Sequence, residues 1–107
     1  MGDALGSLEA QYIFFTNHLD EYLGNCKKET DKTSIRAAYV NSRRNYWSCI
    51  SKIFHDDDPK IMAAVQQMAT AQQSLENSLQ QLNNITQVIS VVTSAVKVGA
   101  QLASLAA

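Results

Sequence analysis

A heptad repeat of mostly apolar residues runs through the second half of the chain and limits the fold more than any other feature. It follows Asp58-Pro59, a strong helix-start signal because aspartate caps a helix and proline suits its first turn. No proline interrupts the repeat after that point. The pattern predicts a coiled-coil-like helix over about residues 59–105. The repeat positions are Ile61, Val65, Met68, Gln72, Leu75, Leu79, Leu82, Thr86, Ile89, Thr93, Val96 and Ala100.

Two shorter amphipathic helices are predicted before this region. Apolar and aromatic residues recur there at helical spacing and indicate helices over about residues 7–28 and 34–55. The expected N-caps are Ser7 for the first and either Thr33 or Ser34 for the second. The two apolar stripes are Leu8, Tyr12, Phe15, Leu19, Tyr22 and Cys26, and Ile35, Tyr39, Ser42, Tyr46, Cys49 and Ile53.

A straight third helix would outreach the first two. It would span about 68 Å, against about 30 Å for each of the others. The first two helices could lie end to end along it, the third could bend back at Asn83-Asn84, or its overhang could pack on another molecule. We favour the last two, because residues 85–107 are apolar around much of the helix circumference and require burial. The sequence therefore predicts one all-α domain over 1–107, a hairpin or bundle of three helices, or four if the third is broken.

Charge and motif content argue against several classes of function. The net charge is −1, without the clustered Lys and Arg that neutralise phosphates, so nucleic-acid binding is not expected. No Ser/His/Asp set, glycine-rich phosphate loop or carboxylate pair has useful spacing. We interpret Asp56-Asp57-Asp58 beside His55 as helix capping rather than as a metal site. We therefore expect a non-enzymatic protein with no catalytic, cofactor-binding or metal-ligating residues.

The cysteines and the N-terminal segment bear on the cellular compartment. Cys26 and Cys49 form no CxxC motif, and we expect two buried thiols, with a disulfide as the alternative if the first two helices are antiparallel. No cationic stretch precedes an apolar core near Met1, so no secretory signal peptide is predicted. The expectation is a cytoplasmic protein, with leaderless export as the alternative.

The apolar side of the long helix is the first candidate interaction region. Its burial in a helix-helix seam would drive self-association or docking on a partner protein. The segment 85–107 also approaches the length and hydropathy of a membrane span. Ala95, Gly99 and Ala103 add a strip of small residues that permits close helix packing in either setting. The predicted seam residues are Leu75, Leu79, Leu82, Ile85, Ile89, Val92 and Val96.

A basic and aromatic cluster on the second helix is the other candidate. It consists of Arg43, Arg44, Tyr46 and Trp47. Arginine beside an aromatic ring can grip an acidic partner, whereas an aromatic residue at the core border can simply anchor two helices. Both interpretations are open for Trp47.

Two protein groups share broad features with the chain. A helical hairpin of this length with a central Trp47 resembles the small secreted WXG proteins, although Cys49 stands where that family has glycine and the family's tail motif is missing. The Gln, Ser, Asn, Thr and Ala composition of residues 68–94 is similar to the C-terminal helices of leaderless type III secretion filament and translocator proteins. The leading hypothesis is an interaction protein that assembles through its C-terminal helix. The alternatives are a membrane-active or pore-forming-like secreted protein, and a small adaptor or inhibitor.

Overall fold

The computed structural model describes residues 2–107, and within them it contains four helices and no strand. The all-α bundle predicted from sequence is confirmed, in the form in which the long helix is broken. The elements are α1 (Asp3–Gly24), α2 (Glu29–Trp47), α3 (Pro59–Ser78) and α4 (Ile85–Ala103).

The four helices form a ring around a shared core. α1 packs on α2 and α3, while α4 packs on the other side of the same two helices. α1 and α4 touch only slightly across the diagonal, and α2 and α3 do not meet. The bundle measures 43 × 22 × 18 Å, so four short helices replace the long rod.

The core divides into two clusters, one at each end of the bundle. Tyr22 and Leu75 belong to one cluster, whereas Leu8 and Ile61 belong to the other. α1 and α3 therefore run in the same direction, and α2 and α4 run opposite to them. The first cluster contains Phe14, Phe15, Tyr22, Cys26, Ile35, Ala38, Ala71, Leu75, Val88, Val92, Ala95 and Val96, and the second contains Ala4, Leu8, Cys49, Ile61, Ala64, Met68 and Leu102.

The break between α3 and α4 lies where the sequence allowed the long helix to bend back, so the broken form is the one that the chain adopts. The chain turns at residues 79–84, which include Asn83 and Asn84. Asparagine side chains compete for backbone hydrogen bonds and favour helix ends over helix interiors. Folding back at this point buries the apolar face of α4 against α3 and α2, which a straight helix would leave in water.

Beyond the break, only part of the heptad register faces the core. Ile61, Met68 and Leu75 are buried as the repeat requires. Beyond the turn, the repeat positions Thr86, Thr93 and Ala100 are exposed. The buried residues of α4 include one repeat position, Val96, and five residues outside the repeat: Val88, Val92, Ala95, Gly99 and Leu102.

The bounds of the first two helices differ from the prediction. α1 begins at Asp3 because the backbone N–H of Ala4 donates to Asp56 Oδ1 (3.1 Å), so a distant carboxylate caps this helix in place of Ser7. α2 begins at Glu29 rather than near Ser34, since acidic residues in its first turn complement the helix dipole.

The end of α2 is also earlier than predicted. α2 ends at Trp47, and the predicted stripe residue Ile53 lies in the following loop with 64% of its surface exposed. The backbone of Ile53 is tied to the end of the chain, because its N–H donates to the carbonyl of Ala107 (3.0 Å) and its carbonyl accepts from the Ala107 N–H (2.8 Å).

Three side chains from the first pair of helices make polar contacts with the second pair inside the bundle. The Tyr22 hydroxyl lies 2.7 Å from Ser78 Oγ, and Gln11 Nε2 donates to the carbonyl of Ala95 (2.9 Å). Asn45 Nδ2 donates more weakly to the carbonyl of Val96 (3.4 Å). These contacts fix the position of α4 and α3 against α1 and α2.

Candidate functional site

The predicted assembly seam lies inside a single chain. Leu75, Val92 and Val96 are buried in the first core cluster. The remaining seam residues are partly buried and pack against the same cluster: Leu79, Leu82, Ile85 and Ile89. These seven side chains hold α3, α4 and the turn between them against the bundle.

A groove follows the outer surface between α3 and α4. Its volume is about 650 Å³, which is within the range of small-molecule sites. Most of its lining side chains are small, and none carries a charge. The lining residues are Ala63, Gln66, Gln67, Thr70, Ala71 and Ser74 from α3, and Ser90, Val91, Ser94, Ala95 and Val98 from α4.

Gly99, in the small-residue strip of α4, serves a different contact. Ala95 and Gly99 are buried, and a Cβ added at Gly99 would lie 2.7 Å from Gln11 Oε1 and 3.1 Å from Asn45 Nδ2. Any larger residue at Gly99 would therefore force the ends of the Gln11 or Asn45 side chains to shift where they reach across to α4. Gln11 Oε1 has no hydrogen-bond partner among the described residues.

The predicted basic and aromatic cluster divides into an outward and an inward part. Trp47 is 52% exposed, and the guanidinium carbon of Arg43 lies 4.3 Å from the centre of a Trp47 ring. This distance is that of a cation–π contact. Arg44 is also exposed, and its only side-chain hydrogen bond among the described residues is a long one to Asn41 Oδ1 (3.5 Å).

Tyr46 is the inward part of the cluster. Its hydroxyl donates to Glu9 Oε2 (2.7 Å), and its ring stacks on Tyr12 with centroids 6.0 Å apart. The hydrogen bond to the Glu9 carboxylate, followed by burial, raises the pKa of the Tyr46 phenol. Tyr46 thus anchors α2 to α1, and Trp47 rests with its ring edge-on against Tyr12, 6.4 Å away.

The cluster lies in a basic stretch of sequence. Lys32, Arg36, Arg43, Arg44 and Lys52 are separated by no acidic residue. The ion pairs formed among residues 2–107 are His18 with Glu21 and Lys32 with Glu29, so none of the three arginines has a carboxylate partner there.

The aspartate run caps two helices. Asp58 Oδ1 accepts from the N–H of Lys60 (2.8 Å) at the start of α3, which confirms the predicted cap, while Asp56 serves α1. The described residues contain no group of three or more His, Cys, Asp or Glu side chains arranged to hold a metal ion.

Both cysteines are buried free thiols, as the preferred interpretation of the sequence predicted. Cys26 follows α1 and Cys49 follows α2, so the antiparallel packing of these helices puts the two thiols at opposite ends of the bundle. Burial, followed by the nearby charge of Asp31, raises the pKa of the Cys26 thiol.

The groove between α3 and α4 was not predicted from sequence. Its lining comes mostly from positions flanking the core stripe of each helix, and only the fold-back at residues 79–84 brings them together. The signal available beforehand was the near absence of charge after Ile61, where only Glu76 and Lys97 are charged.

No family model matches the chain, and neither a curated protein nor a solved structure matches it.

Proposed function

We propose that the protein is a non-enzymatic helical interaction module that self-associates through the outer face of its α3–α4 pair. The observation that carries this proposal is the open, uncharged groove between these helices. The seven seam residues contribute indirectly, because their burial holds α4 beside α3 and so forms the groove.

A second copy of the chain is the occupant that fits the groove's chemistry. The lining residues carry no charge, so two copies meet there without desolvating an ion or opposing like charges. Lys97 lies on the other side of α4, where it lines a smaller recess against α2. Alanine, serine and threonine side chains allow the helices of two copies to approach closely.

The test is the mass of the protein in solution, measured by light scattering across a concentration series. We expect twice the monomer mass of 11.8 kDa for the wild type. Ser94→Arg, which places a charge and a long side chain in the groove, is expected to give the monomer. Thr93→Arg makes the equivalent change on the α2 side of the same helix and should leave the dimer intact.

A wild type that remains monomeric up to about 1 mM, where affinities of only about −4 kcal/mol become measurable, would contradict self-association. A dimer that survives Ser94→Arg as well as Thr93→Arg would contradict the groove as its site. Leu82→Asp with Ile89→Asp is a poorer test, because both side chains pack on the core and their loss opens the bundle.

The alternative function is membrane insertion of α4. This helix of 19 residues is long and apolar enough to cross a bilayer, by length and composition. Its most apolar face is already buried against the core, so insertion requires the bundle to open. Flotation with liposomes separates the two functions: a protein that floats supports insertion, and a dimer that stays in the dense fraction supports self-association.

A further inference from the structure

We propose that the outer face of α2 binds an acidic amphipathic segment of another protein, with Trp47 as the apolar anchor and Arg43 and Arg44 as the charge partners. This surface is separate from the α3–α4 groove, and the inference goes beyond self-association. It assigns a second interaction site and the chemistry of its partner.

Exposure and support of the tryptophan are the first argument. Trp47 is 52% exposed and Val40, two helical turns earlier, is 46% exposed. They line a recess of about 360 Å³ together with Arg43, Arg44 and Ser48. Trp47 is held edge-on by Tyr12 and covered on one face by Arg43, so its position is set before a partner arrives. Tryptophan and arginine are among the residues enriched where binding energy concentrates at interfaces.

Charge is the second argument. α2 and the loop after it carry five basic residues between Lys32 and Lys52 without an acidic one. Arg36, Arg43 and Arg44 are exposed and form no ion pair with any described residue. A partner that supplies carboxylates would satisfy these guanidinium groups, and its apolar side chain would cover Trp47 and Val40.

Other occupants fit this face less well. A second copy would bring the same arginines against each other, which like-charge repulsion opposes. Nucleic acid would meet a chain of net charge −1, with Asp56, Asp57 and Asp58 in the loop after α2. The recess extends over residues 40–48, about 12 Å along the end of α2, and so fits about two turns of a partner helix.

Selection from a peptide library tests the proposal. Random displayed peptides of about 15 residues, enough for about four helical turns, are selected on the wild-type protein after depletion on Trp47→Ala. We expect the enriched peptides to carry an excess of Asp and Glu around an aromatic or branched aliphatic residue. Enrichment of neutral or basic peptides would overturn the proposal. So would the absence of any peptide that binds the wild type better than Trp47→Ala.

The enriched peptide is then labelled and titrated by fluorescence anisotropy. Arg43→Gln and Trp47→Ala are each expected to weaken its binding about tenfold or more, whereas Lys97→Gln, the same charge change on another face, should leave it unchanged. The affinity should also fall as salt is added. Equal losses in Arg43→Gln and Lys97→Gln would show a nonspecific charge effect and contradict the site.

Trp47 is the only tryptophan of the chain, so its emission reports occupancy directly. A shift with anionic phosphatidylserine vesicles or with oligothymidine, but not with the acidic peptide, would assign the face to lipid or nucleic acid and overturn the proposal. Because Ser94→Arg alters only the groove, retained peptide binding in that variant would separate this site from self-association.

Discussion

The first and second pairs of helices contribute to the bundle in different ways. α1 and α2 hold the clustered aromatic rings, and Phe14, Phe15 and Tyr22 fill much of the larger core cluster. α3 and α4 bring smaller residues to that core, such as Ala71, Val88 and Ala95, and expose an almost uncharged surface. In the core, bulky side chains on the first pair thus allow small ones on the second. The outer surfaces also differ: α2 presents arginine and tryptophan, whereas the groove between α3 and α4 is uncharged.

The largest effect is expected where the second pair inserts a bulky side chain among the aromatic residues of the first. Leu75 is fully buried beside Tyr22, and Leu75→Ala should lower the free energy of unfolding by about 2–5 kcal/mol in urea denaturation, through lost burial and a cavity. Leu105→Ala, at a position 37% exposed, should cost less than about 0.5 kcal/mol. Equal losses would mean that α3 does not share the core.

The next largest effect concerns the closeness of the two pairs. Gly99→Ala should destabilise the protein by about 1–3 kcal/mol, because the new Cβ would lie 2.7 Å from Gln11 Oε1 and displace the side chain that bonds to α4. Gly24→Ala is the matched control. It has no neighbour within 4 Å, and it should raise the stability by about 0.4–1 kcal/mol. Thermal melts should show a lower Tm for Gly99→Ala and a higher Tm for Gly24→Ala than for the wild type. A higher Tm for both variants would contradict close packing at Gly99.

A smaller effect is expected at the polar link between the α2–α3 loop and α1. Asp56→Ala removes the carboxylate that accepts from the Ala4 N–H and should cost about 0.5–2 kcal/mol. Asp57→Ala removes the same charge from an exposed neighbouring position and should cost less. Urea denaturation of the two variants side by side makes the comparison, and an equal cost would point to loop charge rather than to capping.

The smallest effect is expected at the hydroxyl that joins α1 to α3. Tyr22→Phe loses the contact with Ser78 Oγ and should cost about 0.5–1.5 kcal/mol. Burial raises the Tyr22 pKa above 10.0, so its folded form favours the neutral phenol. The stability that the neutral Tyr22 phenol contributes is complete below pH 10 and is lost as the pH rises through the folded pKa. The wild type should therefore lose more stability than Tyr22→Phe between about pH 9 and 12, in melts recorded across that range.

Helix type, approximate position and the start of α3 at Pro59 were predictable, whereas the starts of α1 and α2, the end of α2 and the α3–α4 groove were not. Periodicity identified Leu8, Phe15 and Ile35 as core residues, since apolar residues spaced three or four positions apart share one face of a helix. The caps were missed at α1 because Asp56 and Ala4 are 52 positions apart. The α2 cluster was found from residue types alone, but its division into Tyr46 inward and Trp47 outward required the packing of Tyr12.

The sequence by itself determined that this chain is helical, that Asp58 and Pro59 begin a helix, and that charge is concentrated before Ile61. These are local properties, set by spacing, capping chemistry and composition. Tertiary structure decided that the heptad region folds back at residues 79–84 and that its seam is buried within one chain. A heptad repeat specifies an apolar face but not the molecule that packs on it. In this fold, α1 and α2 of the same chain pack on that face.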